Sequence, residues 1–406
     1  MRPSRPRDHT PRDDQSPTVE APGSPRSSPT SEAAEAAPAP ASPGRLLAID
    51  AARGLALVGM VVVNVGPLSV EGLWQRLYLL PYGRASVLFV VIAGIGMAFF
   101  VRARRTPKSR WRALIWRAAV LLTGGLLLQR TTEDVGVILP VYGVLFISVL
   151  VLQFLPPPVL LGAAAALAVV GPVLFISHGL DDVGQHLGPP ARLGDPWPEI
   201  AHALVLSGRY PLVTWAVPFL VGMWAGHLDH TRATTVRRLI AWGGALAVLA
   251  QGASQLSRAL LGERADQGYW RLLTGTAHGQ MPLWLIGSIG GALFTVAVLL
   301  RWWPLLGRWA RPLVMAGQMA LTLYVLHVLV LAMLRPSEDI TIATGALLSA
   351  ALVTGCLVVA VLWRARASIG PLEWVLRASL LTGATRTRVP AAPVPHPEAQ
   401  IKDQHP

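Results

Sequence analysis

The sequence predicts an all-α, polytopic integral membrane protein with about ten transmembrane helices and disordered N- and C-terminal tails. The 406-residue chain is 52% hydrophobic and only 14% charged, with a mean hydropathy of +0.48. That composition is typical of membrane proteins rather than soluble domains. Apolar segments of about 20 residues, the length that crosses a bilayer, recur along the chain. Basic residues concentrate in alternate connections between them, as a defined membrane topology requires.

The two ends of the chain read as tails. Residues 1–44 hold ten prolines among Ser, Ala and Arg, and this composition favours disorder. They contain no apolar core of a signal peptide. Residues 382–406 form a second Pro-rich tail. The segment between them, residues 45–381, is predicted to be one transmembrane domain that ends in a short interfacial helix.

Ten candidate spans lie in this domain. They cover residues 50–67, 84–101, 113–130, 135–155, 158–177, 211–228, 237–255, 281–300, 313–334 and 342–363. Three consecutive prolines at 156–158 predict a tight reversal between the fourth and fifth spans. Residues 197–208 are too few to cross the membrane and are expected at its surface. Pro371 suits the first turn of the interfacial helix predicted over 370–377.

The distribution of basic residues predicts the orientation. Of the 35 Lys and Arg residues, 26 fall on the side that holds both termini and 9 on the other. The positive-inside rule therefore places both termini in the cytoplasm, with the protein in the cell (plasma or inner) membrane. The net charge of +13 is interpreted as a topology signal and a contact with lipid headgroups, not as a nucleic-acid footprint. The lipid bilayer is the expected partner, and an oligomer is compatible with the sequence.

One stripe of the first span is polar. Asp50 and Arg53 lie at its mouth, and Asn64 lies deep inside it. At 100° per residue, Arg53 and Asn64 are about 20° apart around the helix and about 16 Å apart along it. Because charges at a membrane entrance are costly, the stripe predicts a polar track that binds a substrate. The alternative is an arginine that snorkels to the interface and an asparagine that bonds a neighbouring helix.

Two histidines are candidate general bases. His327 lies in the ninth span, one turn after Tyr324, and His278 lies beside Gly279 at the outer mouth of the eighth span. A neutral imidazole can accept a proton from a reacting group. The alternative for His327 is a structural hydrogen bond to a neighbouring helix.

Arg84 is the candidate anion-binding residue of the outer side. It begins the second span, against the positive-inside bias, so it is expected to bind a carboxylate, a phosphate or a partner acid such as Glu133 or Asp134. No metal site is predicted, because the one histidine-rich segment, residues 227–230, lacks a fourth ligand. The lone Cys356 lies in an apolar span and is interpreted as a packing residue.

Several short motifs together resemble a known family. The opening Ile49-Asp50-x-x-Arg53-Gly54-x-Ala56-x-x-Gly59-Met60 resembles the start of YeiB-like bacterial membrane proteins. That group is related to heparan-α-glucosaminide N-acetyltransferase and to the transmembrane acyltransferase superfamily. The resemblance covers about residues 45–380. The other motifs, in chain order, are Gly83-Arg84-Ala85-Ser86 with Leu88-Phe89 and Gly94, Tyr142-Gly143, Tyr210-Pro211 with Trp215, Gly222 and Leu228-Asp229, His278-Gly279, Ala320-Leu321-Thr322 with Tyr324, and Gly370-Pro371-Leu372-Glu373-Trp374.

The resemblance implies transfer of an acyl group from cytoplasmic acyl-CoA, acetyl-CoA above all, to an acceptor at the outer face. That acceptor would be a glycan, a lipid or a small molecule with a free hydroxyl or amine. Members of the superfamily commonly carry a histidine at the position of Asn64 or just after it, whereas this chain has an amide there.

Because position 64 is an asparagine, another residue is expected to act as the base. His278 or His327 would act as the base, and Asn64 would donate to the thioester carbonyl. Asp50, Arg53 and Tyr324 would contribute to donor binding, and Arg84 would position the acceptor. Two other functions remain open: a transporter or flippase of a small anionic metabolite or lipid, and a non-catalytic membrane protein of the same fold.

Overall fold

A computed structural model describes residues 43–68, 72–103, 107–133, 135–178, 190–334 and 340–381. The two predicted tails lie outside these ranges, except that Pro43 and Gly44 already belong to the first helix. Within the described ranges the regular structure is helical throughout, without a β-strand.

Fourteen α-helices make up the described part of the chain. They are α1 (Pro43–Val65), α2 (Gly72–Tyr78), α3 (Ala85–Ala103), α4 (Pro107–Gln129), α5 (Leu139–Leu152), α6 (Pro157–His178), α7 (Trp197–His202), α8 (Leu212–Ala225), α9 (Ala233–Leu261), α10 (Pro282–Leu306), α11 (Arg311–Gln318), α12 (Ala320–Leu334), α13 (Ile342–Arg366) and α14 (Pro371–Leu381). A π-helical turn, Ala203–Ser207, continues α7, and two 3-10 helices, Gly262–Asp266 and Gly268–Leu273, follow α9.

The fold predicted from the sequence is confirmed, and its helices follow the predicted spans. Seven helices are long and apolar enough to cross a membrane alone: α1, α3, α4, α6, α9, α10 and α13. Two further spans are bent pairs, α7 and its π turn with α8 (60°) and α11 with α12 (84°). Since α5 has only 14 residues, the count of ten spans is approximate.

The bent pairs differ from the straight spans that the sequence predicts. The first pair breaks at residues 208–211, where Pro211 has no N–H for a helical hydrogen bond. The second breaks at Met319, whose φ of −118° and ψ of 24° are not helical. Gln318 therefore belongs to a different helix from His327, although the sequence predicts one continuous helix for both.

The helices form one bundle with two ends. We call the end at which α1 begins the N-terminal face and the end at which α1 ends the far face. α14 lies at the N-terminal face against the start of α4, where Trp116 Nε1 donates to Val375 O at 2.8 Å. A helix therefore follows the last span at the position predicted from the sequence.

Glycines allow the closest helix contacts. A Cβ on Gly222 of α8 would overlap the carbonyl oxygen of Val91 in α3, and one on Gly317 of α11 would overlap that of Asp50 in α1. Small residues at such crossings let backbones approach within a membrane. The α1–α11 crossing is the one that positions the polar residues at the start of α1.

Candidate functional site

Asn64 and His327 meet in the interior of the bundle. Asn64 Nδ2 lies 3.0 Å from His327 Nε2, and His327 Nδ1 lies 3.3 Å from the carbonyl oxygen of Leu323. A carbonyl only accepts, so Nδ1 carries the imidazole proton and Nε2 accepts a hydrogen bond from the Asn64 amide. His327 is 1% exposed. Its ring therefore fixes the orientation of Asn64, whose second N–H and carbonyl oxygen are left for other partners.

Tyr324, one turn before His327, packs against the Asn64–His327 pair. Its ring meets the imidazole edge-on with 5.1 Å between centroids. Its hydroxyl accepts from the backbone N–H of Ile138 at 3.2 Å, just before α5. Tyr324 thus ties α12 to the start of α5 and holds the wall of the cluster in place.

A small cavity of about 20 Å³ brings the predicted residues together. That volume has room for about one water molecule. Asn64, His278 and Tyr324 all line it, although they come from α1, from the loop before α10 and from α12. The other lining residues are Met60, Val63, Pro81, Gly83, Ala85, Ser86 and Tyr210.

The His278 ring sits in an aromatic cage at the far-face side of the cavity. Its centroid lies 5.1 Å from that of Tyr82, 5.9 Å from that of Trp284 and 6.1 Å from those of Tyr210 and Trp215. Within the described ranges, the buried indole nitrogens of Trp215 and Trp284 find no hydrogen-bond partner. The cage thus excludes water from most of the ring.

The loop that carries His278 is held in an uncommon conformation. His278 and Gln280 have φ angles of 56° and 61°, which non-glycine residues rarely adopt. Gln280 is fully buried and fastens the loop: its Oε1 accepts from Thr214 Oγ1 at 2.8 Å, and its Nε2 donates to His278 O at 3.2 Å. Strain of this kind is maintained by surrounding contacts and is concentrated at functional sites.

His278 is a neutral imidazole in this setting. Loss of hydration in the cage, and then the positive charge of Arg209, lower the pKa of His278 from its ordinary value to about 4. Both causes disfavour the protonated ring. His278 is therefore able to accept a proton at neutral pH.

A second pocket approaches His278 from the far face. It has a volume of about 220 Å³, and its polar lining includes Tyr82, Asp266, Arg271, Thr276 and His278. Asp266 is paired with Arg258 at 2.8 Å. His278 therefore lines both this outer pocket and the inner cavity.

A polar cluster occupies the other end of α1. Arg53 Nη1 donates to Asp50 Oδ1 at 2.7 Å and lies 3.4 Å from Gly317 O, while Gln318 Nε2 donates to the second Asp50 oxygen at 3.1 Å. The Arg53 and Asp50 side chains remain 28% and 21% exposed. The pair is therefore anchored on α11 and still reachable from the N-terminal face.

Tyr142 lies between the two polar regions. Arg53, Tyr324 and Tyr210 are all near enough to its hydroxyl to act on it electrostatically. Within the described ranges this buried hydroxyl has no hydrogen-bond partner. The polar groups of α1 thus continue into the bundle interior through α5.

Two family models match the chain. The model described as "Heparan-alpha-glucosaminide N-acetyltransferase, catalytic" matches residues 45–258, more than half of the chain. The chain belongs to this acetyltransferase family. A second model, described as "Protein of unknown function (DUF418)", matches residues 226–382. Together they confirm the resemblance to YeiB-like proteins and to this acetyltransferase. No curated protein matches the chain significantly.

In this acetyltransferase-family member, Arg84 stands apart from the cavity. Its guanidinium donates to Leu80 O at 3.1 Å and to Gln251 Oε1 at 3.3 Å, at the far-face end of the groove between α3 and α9. Glu133, one expected partner, pairs instead with Arg192 at 3.2 Å. Asp134, the other, lies outside the described residues. The structure thus gathers Asn64, His278, His327 and Tyr324 but leaves Arg84 elsewhere.

The candidate site also contains residues to which the sequence analysis assigned no role. Trp215 and Trp284 pack around the His278 ring, and Gln280 holds its loop. Trp215 and Tyr142 belong to motifs of the family resemblance, which is the signal that could have found them, whereas Trp284 belongs to none. No group of three or more His, Cys, Asp or Glu that could hold a metal ion occurs among the described residues.

Proposed function

We propose that this protein is a membrane-bound acyltransferase of the cell membrane. It takes an acyl group, acetyl above all, from acyl-CoA at the N-terminal, cytoplasmic face and passes it to a hydroxyl or amine at the far face. One observation carries the proposal: a family with an acetyltransferase catalytic model presents, in this chain, an amide donor and a neutral imidazole that line the same small cavity.

Asn64 is suited to stabilise the developing oxyanion. Because His327 accepts one Nδ2 hydrogen, the amide is preoriented and its second N–H is available to a thioester carbonyl. Donors that are fixed before the reaction stabilise the transition state most effectively. His327 is thus a positioning residue in this scheme.

His278 is suited to act as the base. An acceptor O–H or N–H in the outer pocket attacks the thioester carbonyl carbon, and His278 takes the acceptor proton. The tetrahedral intermediate then collapses, the carbon–sulfur bond breaks, and the imidazolium returns its proton to the departing CoA sulfur. The products are free CoA thiol and the acylated acceptor, and His278 ends neutral as it began.

The N-terminal face is suited to the donor. Arg53 has N–H groups beyond those bound to Asp50 and Gly317, and an arginine of this kind pairs well with a phosphate. A cavity with room for about one water favours an acetyl group over a long acyl chain. The predicted orientation puts this face in the cytoplasm, where acyl-CoA is available.

A transport function is the second candidate, and the two bent spans support it. Discontinuous helices commonly form substrate sites in transporters, and here the two breaks lie at the two ends of the polar track. The same polar track would then pass a small anionic solute without any covalent step.

Reconstituted vesicles test both functions. We expect purified protein to release free CoA thiol from radiolabelled acetyl-CoA and to transfer the label to glucosamine, used as an amino-sugar probe. Asn64→Ala and His278→Ala should abolish both signals, whereas His178→Ala, at an exposed histidine, should not. Uptake of a labelled solute without any acyl transfer would replace this proposal with the transporter.

A further inference from the structure

A lateral groove is lined by residues of α1, α3, α9 and α10. Its volume is about 460 Å³, within the ~300–1,000 Å³ range of ligand sites. The lining is mostly apolar and contains many small residues, among them Ala56, Gly59, Ala247, Gly287 and Gly291.

The far-face end of the groove is cationic. Arg84 is exposed there, and among the described residues its guanidinium donates to the neutral oxygens of Leu80 and Gln251. Among the described residues no carboxylate forms an ion pair with it. An arginine whose charge is not neutralised, at the rim of an apolar slot, matches an amphiphile with an anionic head and a hydrocarbon tail.

We propose that this groove binds an anionic phospholipid of the far-face leaflet, with one acyl chain between α1, α3, α9 and α10 and the headgroup phosphate on Arg84. Small residues along the slot let a chain lie against helix backbones, and the aliphatic side chains surround it. The guanidinium supplies the charge-assisted hydrogen bonds that the phosphate needs.

The lipid would lie directly beside the catalytic cavity. Pro81 and Ala85 line both the groove and the cavity. Trp284 lines the groove and also packs against the His278 ring. The binding proposal stands without the acyltransferase chemistry, because it depends only on the groove and Arg84.

Gly291 provides a way to fill the groove without disturbing the fold. A Cβ at Gly291 meets nothing within 4 Å, and the same holds for Gly355 on α13, which does not line the groove. Leucine is also a better helix former than glycine. Gly291→Leu therefore obstructs the acyl chain, and Gly355→Leu is the matched control.

Native mass spectrometry of the full-length protein with dioleoyl phosphatidylglycerol or dioleoyl phosphatidylcholine gives the test. We expect the wild type to retain more phosphatidylglycerol, and Gly291→Leu to retain several-fold less than the wild type or Gly355→Leu. Equal retention by Gly291→Leu would overturn the groove as the binding site. If Gly291→Leu instead changes the ratio of monomer to dimer, the groove is an interface between two copies and the proposal also fails.

Arg84→Gln tests the headgroup contact separately. We expect it to remove the preference for phosphatidylglycerol, about a 10-fold change for a charge-assisted contact, while Arg76→Gln, at another exposed far-face arginine, leaves the preference intact. A full preference in Arg84→Gln would overturn the assignment of the phosphate. Failure of acyl transfer in the wild type would not affect either lipid result, so the two proposals fail independently.

Discussion

At the two broken spans, different kinds of side chains contact the backbone groups that are freed from helical hydrogen bonds. The break at residues 208–211, before α8, lies at the far face and is surrounded by aromatic rings and amides. The break at Met319, between α11 and α12, lies at the N-terminal face and is surrounded by Asp50, Arg53 and Glu373. Backbone groups freed inside a membrane must find partners, and these two sets of partners give the two ends of the track different functions.

At the far-face break the partners are neutral. Gln280 Nε2 lies 3.4 Å from Arg209 O, and Tyr210 packs edge-on against Trp215 with 4.8 Å between centroids. These contacts join the break to the His278 loop. The result is an aromatic enclosure around a neutral base.

At the N-terminal-face break the partners are charged. Glu373 of α14 accepts from the backbone N–H groups of Leu321 and Thr322 at 2.7 and 3.1 Å and from the Thr322 hydroxyl at 2.6 Å. Arg53 reaches Gly317 O on the other side of the break. A region built from such groups is suited to a charged ligand, whereas the far-face cage is suited to an uncharged reacting group.

The largest expected effect is at the far-face break. His278→Ala should lower acetyl transfer at least ~100-fold, the lower range for loss of a general base, without lowering acetyl-CoA binding. Initial rates and a binding titration on the same preparation separate the two effects. If His327→Ala abolishes transfer while His278→Ala retains it, the roles given to the two histidines are reversed.

Substitutions at the N-terminal-face break should change the affinity for acetyl-CoA rather than the rate of acetyl transfer. Arg53→Ala should weaken acetyl-CoA binding about 10-fold, for one lost charge-assisted contact. Asp50→Asn should strengthen it, because the competing carboxylate charge is removed while an amide oxygen still accepts from Gln318. Isothermal titration measures both, with Arg237→Ala as the control for an exposed arginine of the same face. Equal losses in the Arg53 and Asp50 variants would indicate a structural pair with no part in donor binding.

Sequence periodicity predicts several of the features compared above. The 3.6-residue repeat predicts that Asp50, Arg53 and Asn64 share one side of α1, and the i, i+3 ion pair follows from the same repeat. Composition and segment length predict the helical membrane fold. Local patterns are sufficient for these features because each lies within one helix.

Contacts between distant segments could not be predicted from the sequence. Asn64 and His327 are 263 positions apart, and only the packing of α12 beside α1 brings them together. Trp215 belongs to a motif of the family resemblance and Trp284 has the character of an ordinary core residue, but neither feature indicates a place around His278. The break at Met319 depends on Glu373, more than 50 residues later, and a window along one helix cannot detect it.

A smaller effect, on stability, is expected from the cap at the N-terminal-face break. Glu373→Ala should destabilise the protein by about 1–2 kcal/mol, the range for loss of a helix N-cap, because the N–H groups of Leu321 and Thr322 lose their acceptor. Thermal unfolding in detergent, read as loss of the monodisperse peak, reports the change. Glu373→Gln should retain part of the stability, since its amide oxygen still accepts. Equal melting of wild type and Glu373→Ala would mean that another group satisfies the break.

The smallest expected effect concerns the influence of Arg209, at the far-face break, on the pKa of His278. If His278 is the base, transfer should be constant near neutral pH and fall as the pH drops through the pKa of His278, because the protonated ring cannot accept a proton. Burial is the main cause of the lowered pKa and the charge of Arg209 the lesser one. Arg209→Gln should therefore raise the pKa only partway and move the acid limb of the rate profile to higher pH by a fraction of a unit.

The remaining charged groups near His278 set the control for that experiment. Asp266 and Arg271 share the outer pocket with it, whereas the exposed Arg264 lies outside the pocket lining. Rate profiles of Arg209→Gln and Arg264→Gln, measured with saturating acetyl-CoA over a pH range that extends well below and above the pKa of His278, separate a local charge effect from a general one. A shift of the acid limb to lower pH in Arg209→Gln would contradict the assigned repulsion, and an identical shift in both variants would show that Arg209 has no specific influence on the base.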